Sequence, residues 1–142
     1  MPPPAPWPYP FWIAHRGAGK LAPENTLAAF RAGQARGYRM AECDVTLSAD
    51  EQPFLLHDAT LDRTTDGHGL AAGQSWATLA DLDAGAWHGP RFRGERLPTL
   101  ASLAEHARHS GLLLNLELKP GPGQAARTGA VVARVAAGLW AG

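Results

Sequence analysis

The order of apolar and polar residues predicts a chain in which strands and helices alternate. A short apolar run at residues 11–15 is typical of a buried strand that ends at a polar turn. Residues 38–47 predict a second strand, and residues 52–57 return beside it after a turn so short that only an antiparallel hairpin fits. Residues 112–119 alternate Leu with Asn, Glu and Lys, which is the period of a strand with two different faces.

The first predicted helix follows the first strand. Leu27 and Phe30 recur at helical spacing, and Asn25 is predicted to be the N-cap of this helix. Gly37 is a suitable residue just beyond its end, because glycine adopts the left-handed conformation that stops many helices.

The second half of the chain returns to regular structure after an irregular stretch. Residues 58–96 show weak periodicity and predict one short helix at residues 76–83. Thr99 is predicted to cap a helix that stops at Gly111, and residues 125–140 predict the last helix. Strands that alternate with helices imply an α/β fold, in which a parallel sheet is joined by helical crossovers.

Composition excludes several classes of protein. The 142 residues carry 13 basic and 13 acidic side chains, and this zero net charge argues against a nucleic-acid or anionic-membrane binder. One Cys excludes an internal disulfide framework, and no run approaches the roughly 20 apolar residues of a membrane span. Residues 1–10 form a Pro-rich leader without a basic residue, unlike an export signal, so a cytoplasmic location is expected.

Ionisable residues collect at the ends of the predicted strands, where α/β proteins commonly place functional groups. Residues two apart on a strand face the same side, so Glu42 projects with Asp44, and Glu117 projects with Lys119. Cys43 points the opposite way and is assigned to packing. Three carboxylates that converge without a cation repel one another, and their oxygens suit a hard divalent ion. Glu42, Asp44 and Glu117 are therefore predicted to bind Mg²⁺ or Ca²⁺.

Four further residues suit a phosphate group. Arg16 can bind two phosphoryl oxygens with its planar fork, and Lys119 can place a point charge beside them. His15 and His57 can act as general acid and base near neutral pH. With the metal site, these residues predict metal-assisted hydrolysis of a phosphate ester.

Other polar residues receive plainer interpretations. Asp58 and Arg63 are expected to be loop scaffolding, and Glu24 is expected to be a favourable charge in the first helical turn, with a position near the site left open. The remaining histidines are expected to be surface or structural residues and receive no role: His68, His88, His106 and His109.

The chain resembles the glycerophosphodiester phosphodiesterase family, which lies within the phospholipase-C-like phosphodiesterase superfamily. The resemblance runs from about residue 12 to about residue 140, and it rests on seven short motifs that occur in the family's order and spacing. They lie at residues 13–17 (Ile-Ala-His-Arg-Gly), 22–30 (Ala-Pro-Glu-Asn-Thr-Leu-Ala-Ala-Phe), 42–45, 54–58, 61–67, 97–100 and 115–120. Each motif is weak alone, whereas seven in order are a strong signal.

The resemblance implies a TIM-type (β/α)₈ barrel and a hydrolase of lipid and glycerol metabolism. Its substrates would be glycerophosphodiesters, which it would cleave to glycerol 3-phosphate and an alcohol. It also implies roles for residues already named: one divalent metal, Mg²⁺ or Ca²⁺, on Glu42, Asp44 and Glu117. The resemblance further implies that His15 and His57 are the catalytic acid–base pair and that Arg16 and Lys119 are cations on the phosphate side.

The length of the chain conflicts with a complete barrel, which takes about 250 residues. Residues 11–15, 39–44 and 112–119 supply three barrel strands, so residues 11–142 are expected to be the N-terminal part of a barrel, with residues 58–96 as the family's insertion. Two hypotheses stay open: an active phosphodiesterase, and a truncated, inactive fragment that binds metal or phosphate. A relative that acts on inositol or choline lysophospholipids is a further alternative. The open barrel is expected to be covered by a missing C-terminal segment or by self-association.

Overall fold

The structure is a computed structural model that describes residue 1 and residues 5–141, so part of the predicted Pro-rich leader, residues 2–4, and Gly142 lie outside it. The described part of the chain contains three strands, four α-helices and three short 3₁₀ turns. No helix in this part is both long enough and apolar enough to span a membrane. The regular elements are α1 (Leu27–Ala35), β1 (Met40–Leu47), β2 (Pro53–Leu55), α2 (Trp76–Leu79), α3 (Leu100–Ser110), β3 (Leu113–Leu118) and α4 (Ala125–Leu139).

The three strands form one mixed sheet in the order β2-β1-β3. β1 pairs with β3 in parallel, and the helix α3 makes the crossover between β2 and β3, as the alternation of strand and helix predicts. β1 pairs with β2 in antiparallel, which confirms the predicted hairpin. The parallel register sets Asp44 beside Glu117 and Glu42 beside Asn115, so the carboxylates of the two strands share one edge of the sheet.

The prediction of a full strand at residues 11–15 was wrong. Only Ala14 joins the sheet, through an isolated parallel bridge to Ala41, and His15–Gly17 is a 3₁₀ turn. Phe11 and Trp12 are 83% and 73% exposed, so their apolar side chains are not buried as the pattern suggested. The physical reason is that Ala14 pairs with β1 only near the start of that strand, at Ala41, while β2 pairs with residues 45–47 at the other end of β1.

The helix ends follow ordinary capping chemistry, with two departures from the sequence prediction. Thr26, not Asn25, caps α1, because the Thr26 hydroxyl accepts a hydrogen bond from the backbone N–H of Ala29 at 3.3 Å. The short helix predicted at residues 76–83 is only Trp76–Leu79. Thr99 caps α3 as predicted.

The two larger apolar cores of the described residues hold these elements together. The larger one lies between the sheet and the helices α1, α3 and α4, and it includes the fully buried Phe30 and Leu103. The second core packs Leu61 and Leu79 of the segment 58–96 against Phe54 of β2, and none of these three side chains has exposed surface. Each such side chain contributes about 1.5–3 kcal/mol of hydrophobic stabilisation. The segment 58–96 is therefore a packed unit that can hold side chains firmly beside the sheet.

Candidate active site

Three carboxylates converge where β1 and β3 run side by side. The parallel register pairs Asp44 with Glu117, and Glu42 lies two residues earlier on the same face of β1. Glu42, Asp44 and Glu117 can each offer one oxygen such that all three lie within 4.8 Å of one another. Their side chains are unequally exposed, at 13%, 1% and 54% respectively. The sequence prediction that these residues come together is consistent with this geometry.

The electrostatics of the cluster favour a cation. Burial raises the pKa of Glu42 above its usual range, the Asp44 and Glu117 carboxylates raise it further, and a hydrogen bond from the backbone N–H of Arg16 opposes them. Glu42 Oε1 and Asp44 Oδ1 are buried without a hydrogen-bond partner among the described residues. Buried acceptors without a donor are costly, so two such oxygens on members of one carboxylate cluster fit a hard divalent cation.

Two cationic side chains flank the carboxylates. Lys119 Nζ lies 2.6 Å from Glu117 Oε1 and 3.7 Å from Asp44 Oδ1. The hydrogen bond from Lys119 lowers the pKa of Glu117, so this carboxylate stays ionised. Arg16 adopts a positive φ of 52°, its backbone N–H donates to Glu42 Oε2 at 3.0 Å, and its Nε lies 3.6 Å from Asp44 Oδ2. The local turn therefore directs both the backbone and the side chain of Arg16 at the cluster.

The two predicted histidines lie on different parts of the site. His15 Nε2 is 3.9 Å from Glu42 Oε2, and the His15 side chain is 68% exposed. His57 Nδ1 is 2.8 Å from Asp58 Oδ1. A cavity of about 180 Å³ has His57 and Lys119 in its wall. Because the Asp58 carboxylate is an acceptor, it favours the His57 tautomer that donates from Nδ1 and leaves Nε2 free.

The structure brings three further residues to the site. Asp58 and Arg63 were expected to be loop scaffolding, and Glu24 was expected in the first turn of α1, which is wrong because α1 begins at Leu27. Glu24 Oε1 accepts a hydrogen bond from Arg16 Nη1 at 2.9 Å, and Arg63 binds both Glu24 and Asp58. Burial acts to raise the pKa of Glu24, but the hydrogen bond from Arg63 and the Arg16 charge lower it below its usual range. No local pattern signals the contact between Glu24 and Arg63, because 39 residues separate them along the chain.

Asn25 is a fourth residue whose place was missed. It is 3% exposed, its Nδ2 donates to Asp44 Oδ2 at 2.8 Å, and its Oδ1 accepts from the backbone N–H of Asp44 at 3.1 Å. Its φ is 58°, a left-handed conformation that Asn tolerates better than most residues. The available signal was the neighbouring Thr26, which can cap the helix alone and so leaves the Asn25 amide for another role.

The remaining sequence interpretations of single residues agree with the structure. Cys43 is fully buried on the opposite face of β1, and burial raises its pKa above the usual range, as expected for a packing residue. The other four histidines have partners outside the carboxylate cluster: His68 on Asp62, His88 on the carbonyl of Lys20, His106 on Gln34 and His109 on the carbonyl of Glu105.

Comparisons with known proteins agree on one family. A family model described as the glycerophosphoryl diester phosphodiesterase family matches residues 15–141. The glycerophosphodiester phosphodiesterase of Caldanaerobacter subterraneus is 42% identical over 109 residues, which cover 77% of this chain and 45% of that protein. Human glycerophosphodiester phosphodiesterase 1 is 38% identical over 109 residues, which cover 75% of this chain and 33% of that protein.

Solved structures give the same picture. A phosphodiesterase of Oleispira antarctica, solved in complex with the product sn-glycerol-3-phosphate, shares 44% identity with a TM-score of 0.87. The match covers 90% of this chain and 52% of that one. The chain therefore spans between a third and about half of the length of these relatives.

Proposed function

The chain belongs to the glycerophosphoryl diester phosphodiesterase family, and from this membership we propose that the protein hydrolyses glycerophosphodiesters to glycerol 3-phosphate and an alcohol. Its fold is part of the family's TIM-type (β/α)₈ barrel, of which the described residues form a three-stranded sheet with its helices. One observation carries the proposal: three carboxylates lie within 4.8 Å of one another, with histidines and cationic side chains around them.

We propose that Glu42, Asp44 and Glu117 would hold one divalent cation. The support is the chemistry of the donor set, which is all oxygen, and the two buried oxygens of Glu42 and Asp44 that lack a hydrogen-bond donor in the described part of the chain. Such a donor set accepts Mg²⁺ as well as Ca²⁺. When bound, the cation supplies positive charge that stabilises the negative charge of the phosphoryl group.

Arg16 and Lys119 are proposed to bind and orient the phosphate. Arg16 Nε is buried and has no hydrogen-bond partner among the residues that the structure describes, although it lies near Asp44. Lys119 lies between Asp44 and Glu117, beside the cavity that His57 also lines. A planar guanidinium and an ammonium on one site match the oxygens of a phosphodiester, which carries one negative charge.

His15 and His57 are proposed to move the protons. Hydrolysis adds water across the bond between phosphorus and the alcohol oxygen, so one proton leaves the water and one reaches the departing alcohol oxygen. Each imidazole can do one of these steps near neutral pH. His57 is the better oriented of the two, because Asp58 holds its Nδ1 at 2.8 Å and so leaves Nε2 free for proton transfer.

A glycerophosphocholine assay tests this function on the full chain in the presence of Mg²⁺ or Ca²⁺. We expect choline and glycerol 3-phosphate to form in equal amounts, and we expect His15→Ala and His57→Ala to abolish turnover. His109→Ala is the matched control, because His109 binds a helix carbonyl in α3 and should retain full activity. Turnover that survives both His15→Ala and His57→Ala would refute the proposed roles.

A second candidate is a chain that binds a cation or phosphate without turnover. The observation that favours it is the coverage of 45% of the curated relative from Caldanaerobacter subterraneus. Binding of Ca²⁺ by a folded wild-type chain that leaves glycerophosphocholine intact would select this candidate over the enzyme.

A further inference from the structure

One arginine outside the carboxylate cluster ties two active-site side chains together. Arg63 donates to Asp58 from Nε at 2.8 Å and from Nη2 at 2.9 Å. It also donates to Glu24 from Nη1 and from Nη2, both at 2.9 Å. All three nitrogens of its guanidinium are therefore used, and Nη2 bridges the two carboxylates.

Each of these carboxylates holds one residue of the proposed reaction. Asp58 Oδ1, which accepts from Arg63 Nη2, is also 2.8 Å from His57 Nδ1. Glu24 Oε1, which accepts from the same nitrogen, also accepts from Arg16 Nη1 at 2.9 Å. A continuous path of hydrogen bonds thus runs from His57 to Arg16, with the Arg63 guanidinium at its centre.

The segment 58–96 fixes Arg63 on a tight turn. Leu61 is fully buried in the second core, and its carbonyl accepts from the Thr65 backbone N–H at 3.1 Å and from the Thr65 hydroxyl at 2.7 Å. The Thr65 hydroxyl also accepts from the backbone N–H of Gly67 at 3.0 Å. The backbone on both sides of Arg63 is therefore held, although the Arg63 side chain itself is 44% exposed.

We propose that Arg63 is a positioning residue that aligns His57 and Arg16 for phosphodiester hydrolysis by clamping Asp58 and Glu24 in one guanidinium fork. The inference rests on the proposed function and extends it to the segment 58–96. It assigns that segment a part in the reaction, since its Arg63 and Asp58 connect to His57 and, through Glu24, to Arg16, which lie outside the segment.

The geometry requires an arginine at this position. Two carboxylates face each other across residue 63, and without a cation their charges would repel and turn the side chains apart. The hydrogen bonds from Arg63 lower the pKa of Asp58 below its usual range, so Asp58 remains an acceptor for His57 Nδ1 at neutral pH. A lysine supplies the charge but lacks the planar fork that satisfies both carboxylates at once.

The test compares Arg63→Gln and Arg63→Lys with Arg127→Gln in the full chain. Arg127 is a suitable control, because its side chain pairs with the exposed Glu51 at 2.8 Å and with none of the site residues. We expect kcat for glycerophosphocholine to fall about 10- to 100-fold in both Arg63 variants, since a misplacement of a reacting group by about 1 Å can cost about 100-fold. KM should rise as kcat falls, because the clamp also positions Arg16, which is proposed to bind the phosphate.

A measurement that needs no turnover accompanies the kinetics. The NMR signal of the His57 Nδ1 proton reports its hydrogen bond to Asp58, and we expect both Arg63 variants to shift or broaden it while Arg127→Gln leaves it unchanged. Thermal unfolding of each variant separates loss of alignment from loss of fold, and Arg63→Lys keeps the charge that Arg63→Gln removes.

Two results would overturn the clamp. One is an Arg63→Gln chain with the kcat of Arg127→Gln, and the other is an unmoved His57 signal in both Arg63 variants. If the wild-type chain has no phosphodiesterase activity, the proposed function fails, and the NMR comparison still decides the clamp: a shifted His57 signal supports it, and an unchanged one refutes it.

Discussion

Replacement of Asn25 by Ala should destabilise the fold and the carboxylate cluster together. Asn25 makes reciprocal hydrogen bonds with Asp44, at 2.8 Å to the carboxylate and at 3.1 Å from the backbone N–H. Ala removes both bonds at a position that is only 3% exposed, so water does not easily replace them. Ala is also less tolerant than Asn of the φ of 58° observed there.

The magnitude follows from three contributions. A hydrogen bond to a charged group is worth about 1.5–3 kcal/mol, and a buried backbone N–H left without an acceptor costs about 1–3 kcal/mol. The left-handed backbone adds roughly 1 kcal/mol for Ala. Because such contributions are not fully additive, we expect a loss of about 3–5 kcal/mol in the free energy of unfolding.

Urea unfolding of the wild-type chain and two variants measures this effect. Asn25→Gly is the matched variant, because Gly also lacks the amide but accepts a positive φ without strain. It should therefore be about 1 kcal/mol more stable than Asn25→Ala. The reasoning is refuted if Asn25→Ala unfolds at the wild-type midpoint, or if the Gly variant is the less stable of the two.

Two other predictions concern pH and the edge of the sheet. Hydrogen bonds from Arg63 lower the pKa of Asp58 in the folded state. The contribution of Asp58 to stability is therefore full above its unfolded pKa of about 4 and is lost as the pH falls through the folded pKa. The urea midpoint should drop less steeply with acid in Asp58→Asn than in the wild type, and an unchanged slope would contradict this. Leu113 and Leu118 on β3 are 41% and 39% exposed, so we expect light scattering to show self-association of the 142-residue chain. Leu118→Lys should self-associate less, and a stable wild-type monomer would disprove this prediction.

The strand–helix order could be predicted from the sequence because it depends on local periodicity. Residues 112–119 alternate with a period of two, and β3 forms at Leu113–Leu118. Thr99 and Gly111 mark the ends of α3, where the Thr99 hydroxyl caps the first turn and Gly111 adopts a φ of 69°. The prediction of a strand at residues 11–15 was wrong, because a strand needs a neighbouring strand to pair with as well as an apolar run, and only Ala14 pairs with one.

The carboxylates of the candidate site could be predicted from the sequence, but the residues that hydrogen-bond to the site from distant parts of the chain could not. Glu42 and Asp44 share a face by spacing alone, and the parallel register then brings Glu117 beside them. Asn25 and Arg63 were assigned to ordinary local roles, because a local pattern holds no information about a partner 19 or 39 residues away. Their roles depend on long-range hydrogen bonds that exist only after the chain has folded.

Calorimetric titration of Ca²⁺ into the full chain tests the central claim most directly, since it needs no catalytic turnover. The account predicts one bound cation per wild-type chain, and it predicts that Asp44→Asn abolishes binding. It also predicts that Asp62→Asn, a change in an exposed carboxylate paired with His68, binds the cation as the wild type does. A wild-type chain that takes up no Ca²⁺ and no Mg²⁺, or an Asp44→Asn chain that binds as tightly as the wild type, would contradict the account.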